Sequence, residues 1–250
     1  MYPRTYSNIL LRKMSPDERR LLEDHMERVR LPFRMHMEHR GQPIEFVYFP
    51  EAGIATIVAR MPRGRDVEVG LIGFEGMTGT AAVLGDYCAA HECFIQMAGE
   101  GYRVPVAALT SAISRSPQLH NLLLRYVQSL YVQATYCALS NVRSRFEERL
   151  ASLLLRCRDR VAGDTLPLTH EVLAVMLGVR RPGVTLGLHV LEGEGLIRAS
   201  RGEIIIRDRE RLIKRTKGSY GVPVAEYKRL IGTDTSPAGK TMFYLEPKER

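Results

Sequence analysis

Arginine matches the paired acceptors of a guanine edge, and Arg180 and Arg181 stand side by side where a helix-periodic segment begins. Thr185 and His189 follow Arg181 at steps of four residues, which puts all three on one helical face. Arg201 sits in Ser200-Arg201-Gly202, a turn between two β-prone runs, and Thr169-His170 opens the helical segment upstream. This set of cations and short hydrogen-bonding groups suits a polyanion that also presents base edges. An arginine held bidentately on guanine discriminates by about 1–3 kcal/mol, whereas a cation on phosphate positions without specifying.

The elements that must carry these side chains follow from the same stretch, residues 168–206. Thr169 is placed to cap a helix whose apolar residues Val172, Leu173, Val175, Met176 and Leu177 are dense enough for burial. Ala174 leaves room for a second helix to approach, and Gly178 can adopt the left-handed conformation that stops the first. Val179 starts the turn. Pro182 fits the first turn of a new helix, and Val184, Leu188 and Leu191 give that helix a buried stripe. It ends near Gly193-Glu194-Gly195. Leu196-Ile197-Arg198-Ala199 and Glu203-Ile204-Ile205-Ile206 then form a hairpin about the Arg201 turn. Two helices and a hairpin in this order are a winged helix-turn-helix. The expected partner is double-stranded DNA, with Arg180 and Arg181 at bases or phosphates and Arg201 at phosphate.

Composition agrees with this reading. The chain has 250 residues, 45% hydrophobic and 26% charged, which is enough for two globular cores. Its net charge of +8 favours a polyanionic partner. The charge is uneven: between Asp66 and Tyr102 there is no lysine or arginine, while Asp66, Glu68, Glu75, Asp86, Glu92 and Glu100 fall there. No apolar run approaches the length of a membrane span and no export signal is apparent, so a cytoplasmic protein without membrane contact is expected. Cys88, Cys93, Cys137 and Cys157 form no CxxC pair and are expected to be reduced thiols.

Upstream of the reader the texture is mixed, which makes the fold class α+β. Ser15-Pro16-Asp17-Glu18 is a capping box opening a helix that Leu21, Leu22, Met26 and Val29 would continue to about Arg30. Short β-prone runs follow at 44–49, 54–59, 67–72, 93–97 and 102–104, punctuated by glycine or proline, as in an antiparallel jelly roll or barrel. From Pro117 the pattern is helical, and Leu119, Leu123, Tyr126, Val127, Leu130, Ala134 and Cys137 approximate a heptad seam for a homodimer. Ser140-Asn141 breaks that pattern. The expected organisation is a β sensor domain at 1–116, a dimerisation helix at 117–140, a winged helix-turn-helix at 141–215 and a tail at 216–250, poorly ordered beyond about Gly232.

Other chemistries find less support. His36 and His39 are three residues apart; on a strand their side chains would point to opposite faces, which makes them surface histidines and no metal site. A metal-dependent, cupin-like enzyme using His36, His39 and His91 is the alternative function, but a cupin motif has His-x-His followed by Glu. An iron–sulfur cluster needs close thiolates, and no cysteine precedes Cys88. No Ser-His-Asp order, phosphate-cradling glycine loop or carboxylate pair stands out, so no catalytic residue, enzymatic activity or cofactor is expected.

A β-rich first domain, one long helix and a winged helix-turn-helix together resemble the Crp/Fnr family of transcription regulators over residues of about 15–215. The most specific part is Leu168-Thr169-His170-Glu171 through Gly178, Arg181, Val184 and Leu191-Glu192-Gly193-Glu194-Gly195-Leu196-Ile197. The resemblance implies a cyclic-nucleotide-binding-like jelly roll, dimerisation along the long helix, a palindromic site, and contact with RNA polymerase as a further partner. It places Arg181 on the arginine that reads guanine. Pro182 stands where many members have an acidic residue, and Leu186 and Gly187 where a second polar reader often appears. Members that bind cyclic nucleotides have an arginine for the phosphate, and the corresponding 73–93 region has none, so no response to cyclic AMP is expected. A small effector of another kind would sit near Glu75, Met77, Thr78 and Thr80, against the long helix around 123–130.

Overall fold

The computed structural model describes residues 5–60, 66–161 and 163–232. Its contacts divide the chain into two units, Met1–Gln128 and Ser129–Arg250.

The first unit opens with α1 (Ile9–Lys13) and α2 (Pro16–Glu23). Asn8 caps α1 by accepting from the Leu11 N–H, while its buried amide donates to the carbonyls of Pro50 and Gly76. Ser15 and Glu18 form the capping box read from the sequence. α2 ends at Glu23, however, and Glu27–Leu31 is β1, so Met26 and Val29 do not extend the helix. Antiparallel pairing of Glu27–Leu31 with residues 99–103 overrides local helical spacing.

The other strands of this unit are β2 (His36–Glu38), β3 (Phe46–Ala59), β4 (Val67–Ile72) and β5 (Glu92–Pro105), with α3 (Thr80–Val83) between the last two. They form an antiparallel sheet in the order β1-β5-β3-β4, with β2 also on β5. Two pairs of short runs expected from the sequence are thus two long strands. β3 and β5 pair along most of their length through register shifts between Pro50 and Ala55, which bend the strands without ending them. At the bend the backbones nearly touch: a Cβ on Gly99 would lie 2.1 Å from the Ala52 carbonyl oxygen. Leu10, Leu11, Val47, Phe49, Leu71 and Val104 fill the core. α4 (Val106–Arg115) follows, then α5 (Pro117–Arg143). The helix α5 runs past the expected break at Ser140-Asn141 and stops before Ser144 and Arg145.

In the second unit α6 (Phe146–Arg158) is the central element, with Leu150, Leu153, Leu154 and Leu155 fully buried. The elements β6 (Thr165–Leu166), α7 (His170–Leu177), α8 (Arg181–Gly193), β7 (Ile197–Ser200) and β8 (Glu203–Ile206) follow, then α9 (Arg209–Arg215) and α10 (Gly221–Ile231). A small antiparallel sheet runs β6-β8-β7. The segment expected as a tail therefore begins as structure: Tyr220 is buried and α10 continues to Ile231, while residues 233–250 lie outside the described residues. Its anchor is polar. The fully buried Asp159 carboxylate accepts from Tyr220 Oη and, at 2.8 Å, from Arg209. Burial pushes the Asp159 carboxyl up, and the Arg209 charge opposes that. This cluster, which forms only when residues 159, 209 and 220 meet in space, holds the first part of the expected tail; the expectation of poor order beyond about Gly232 lies outside the described residues.

Candidate nucleic-acid interface

Thr169 caps α7, its hydroxyl accepting from the Val172 N–H at 3.3 Å. Gly178 ends that helix with φ 64° and ψ 31°, a left-handed conformation that costs glycine no Cβ strain. The chain then turns through Val179 and Arg180 and enters α8 with Pro182 in the first turn. Leu173, Val184, Leu188 and Leu191 are fully buried beneath the pair. Arg149 reaches from α6 to donate to the Leu177 carbonyl at 2.6 Å, satisfying one acceptor that the end of α7 leaves open. Gly187 is buried where α8 meets α6, close to the Phe146 ring; it is a packing residue off the outward face.

On the open side, Arg180 and Arg181 are exposed at the start of α8, and no side chain caps that helix end. The partial positive charge of that helix end therefore lies beside both guanidinium groups; Pro182 has no N–H there and the Gly183 N–H donates to the Arg180 carbonyl. Arg181 Nε is 2.9 Å from Glu171 Oε1, an exposed ion pair worth at most about 1 kcal/mol and easily exchanged for a nucleic acid contact. His170 Nδ1 lies 2.9 Å from Thr185 Oγ1, which also donates to the Arg181 carbonyl. These two residues thus brace α7 against α8, and His189 remains exposed. The wing is held on α8 by Glu192, whose carboxylate accepts from the Ala199 N–H at 3.0 Å. Ser200 pairs with Glu203 around the two-residue tip Arg201-Gly202. A single cleft is lined by Thr169, Arg181, His189, Ser200 and Arg201 among others. Residues read from the sequence at two separate motifs therefore converge on one surface.

Leu186 was not among the expected site residues. It is 65% exposed on α8, one turn beyond Pro182 and one before His189. An apolar side chain on such a face suits the thymine methyl group. The signal was in the sequence: Leu186 lies off the Val184, Leu188, Leu191 stripe.

The other expected site residues lie in the first unit or on α5. Glu75, Met77 and Thr78 are buried and engaged by protein groups: Glu75 accepts from the Gly73 N–H, Thr78 Oγ1 accepts from the Tyr48 N–H, and Tyr126 Oη donates to the Met77 carbonyl. Thr80 is half-buried. Leu119, Leu123 and Tyr126 fill the core of the first unit, facing away from any surface a partner could use. Val127, Leu130, Ala134 and Cys137 are half-exposed. His36 and His39 do not diverge as an ideal strand requires. β2 ends at Glu38 after a register shift, the alternation is lost, and the two rings stack with centroids 4.5 Å apart. All four cysteines are free thiols. Among the described residues, no helix is long and apolar enough to cross a membrane.

Residues 148–215 match the model of the Crp-like helix-turn-helix domain. No curated protein matches the sequence. Among solved structures, the chain is similar to a transcriptional regulator of the Crp/Fnr family from Eubacterium rectale, at 18% identity and TM-score 0.65, covering 83% of this chain and 97% of that one. FixK2 from Bradyrhizobium japonicum is similar at 18% identity and TM-score 0.66, covering 76% and 96%. CLP from Xanthomonas campestris, a regulator responsive to c-di-GMP, is similar at 17% identity and TM-score 0.63, covering 77% and 99%. Fold and site together define the class: an antiparallel β domain, a long helix and a DNA-binding winged helix-turn-helix. Residues 148–215 match the Crp-like helix-turn-helix domain, and the chain is similar in fold to structures of Crp/Fnr regulators.

Proposed function

We propose that the protein is a homodimeric, sequence-specific regulator of transcription that binds a palindromic DNA site and does not respond to cyclic AMP. The observation that carries the reading is the start of α8, where no side chain caps the helix, Arg180 is exposed, and Arg181 lines one cleft with the wing tip at Arg201. The start of α8 enters a major groove, Arg181 reads guanine, and Arg201 touches phosphate. Leu186 adds a preference for thymine beside that guanine. Two copies place their reading helices about 34 Å apart, one turn of DNA. The seam between copies lies on the outward face of α5, where Leu124, Val127, Tyr131, Ala134 and Ala138 follow heptad spacing and are exposed or half-exposed. RNA polymerase is the further partner of such a regulator, the cytoplasm its place of action, and no catalysis is assigned to it.

Two features support insensitivity to cyclic AMP. The 73–93 segment offers no arginine for a phosphate. The Gly79 N–H at the start of α3, a position suited to an anion, already donates to the Glu38 carboxylate at 2.8 Å. Burial pushes the Glu38 carboxyl up, which the Gly79 hydrogen bond opposes. A different effector acting near Thr80 stays within the proposal.

Selection of bound DNA from a random pool, run with and without cyclic AMP, tests the reading. Recovery of one inverted repeat with half-sites about 10 base pairs apart, unchanged by the nucleotide, is the expected result. Recovery of no consensus, or of one only with cyclic AMP, overturns it.

A further inference from the structure

We propose that His36, His39 and Glu92 form a binding site for a divalent transition-metal ion of the zinc class, at the sheet edge where β2 meets β5. Three donor atoms, one from each residue, lie within 4.8 Å of one another. His36 Nδ1 is 3.3 Å and His39 Nδ1 3.4 Å from the same oxygen, Glu92 Oε2. Both distances exceed the usual N–H···O range of about 2.7–3.2 Å, so the oxygen is poorly used as a hydrogen-bond acceptor. They match another geometry. With metal–ligand bonds of about 2.0–2.1 Å, neighbouring ligands on a tetrahedron stand about 3.3–3.4 Å apart.

The site is built by the fold. Glu92 is the first residue of β5, and its other oxygen accepts from the Arg40 N–H at 3.2 Å, which turns Oε2 toward the imidazoles. His36 stands opposite Phe94 in the β2–β5 register, with the ring centroids 5.6 Å apart. The rings of His36 and His39 stack with 10° between their planes and both Nδ1 atoms lie near Glu92 Oε2, so a turn of one ring about its side-chain bonds brings both lone pairs to a single ion. Nearby cations are engaged elsewhere: the Arg40 guanidinium donates to the Arg60 carbonyl, and Arg60 pairs with Asp66 at 2.6 Å. Two imidazoles with one carboxylate are a donor set zinc accepts. A fourth position faces solvent, since His36 and His39 are 44% and 60% exposed. It is open to water or to a small anionic ligand. His91 lies outside this group of donors, so the site is not the histidine set of a cupin-like enzyme.

The full chain, purified with a chelator, is titrated with Zn²⁺ by calorimetry and with Co²⁺ by visible absorption. The expected result is one ion per chain and cobalt d–d bands without thiolate charge transfer. His36→Ala, His39→Ala and Glu92→Gln should each weaken binding at least about tenfold, as loss of a ligand from a three-ligand site requires. Glu92→Gln keeps the acceptor for the Arg40 N–H and so separates ligand loss from loop disorder. His91→Ala is the control and should bind as the wild type does. Thermal melts of the metal-free variants, coincident with the wild type, verify folding, and Zn²⁺ should raise the melting point only where all three ligands remain. Equal affinity in the His36→Ala/His39→Ala double variant, or thiolate charge transfer traced to Cys88, overturns the proposal.

Discussion

Arg181 and Arg201 are both exposed arginines on one surface, yet they are expected to do different work. Arg181 projects from the start of a helix whose orientation α6 and α7 fix, so its guanidinium can meet one base edge repeatedly in the same geometry. Arg201 projects from a two-residue turn and, in the proposed reading, touches only the DNA backbone. Arg181→Ala should therefore cost about 1–3 kcal/mol of specific binding and relax one base position. Arg201→Ala should weaken all sequences alike and lower the slope of log affinity against log salt by roughly 1. Binding isotherms on the selected site and on random DNA, at several salt concentrations, separate the two; wild-type affinity in both variants would remove α8 and the wing from the interface. Glu148 makes a different residue-scale case. Lys217, 2.7 Å away, holds its carboxyl below the usual carboxylate range, while burial works in the opposite direction. The stabilisation is complete above the unfolded carboxylate value of about 4.3 and is lost as pH falls through the lowered folded value. Glu148→Gln should flatten the acid limb of melting temperature against pH, and coincident limbs would show that the pair contributes nothing.

At the scale of elements, turn and cap chemistry was legible and strand length was not. Ser15-Pro16-Asp17-Glu18 and Thr169 specify helix starts through bonds within four residues, so local sequence suffices. The long strands β3 and β5 look like pairs of short ones because Pro50, Gly53, Gly99 and Gly101 interrupt each run. What carries the strands through is their mutual pairing, which no local pattern records. The close approach at Gly99 has a testable consequence. Its Cβ would meet the Ala52 backbone, which cannot rotate away as a side chain would. Gly99→Ala should cost about 1–3 kcal/mol by overpacking, read as a lower melting transition in calorimetry; an unchanged transition would mean that the bend opens without strain.

For the whole molecule, the proposed dimer turns on which face of α5 a second copy would cover. The helix α5 spans 27 residues, about 40 Å, with Tyr131 68% exposed and Val142 82% exposed along its outward face. Exposed apolar groups at heptad spacing are costly to leave in water and cheap to cover with a second copy. Tyr131→Glu should shift sedimentation equilibrium from dimer toward monomer and reduce affinity for the full inverted repeat far more than for one half-site. A wild-type chain that sediments as a monomer at micromolar concentration would refute this seam. The charge pattern belongs to the same scale. The 66–102 stretch lacks lysine and arginine, and the basic excess lies elsewhere, so long-range attraction to DNA acts on other parts of the molecule.

The sequence by itself determined the reader. Gly178, Pro182, the Val184, Leu188, Leu191 stripe and the Arg201-Gly202 turn act through neighbours a few residues away, and spacing alone encodes such bonds. Only the tertiary structure decided which face of α5 is spent on its own core. Leu119, Leu123 and Tyr126 and the heptad neighbours beside them look alike until the β domain takes one face. It also decided that Asp159, Arg209 and Tyr220 anchor what looked like a tail, and that His36, His39 and Glu92 share one corner. The reason is common to all three. Burial and long-range convergence depend on where distant segments meet, and a one-dimensional pattern carries no record of that meeting.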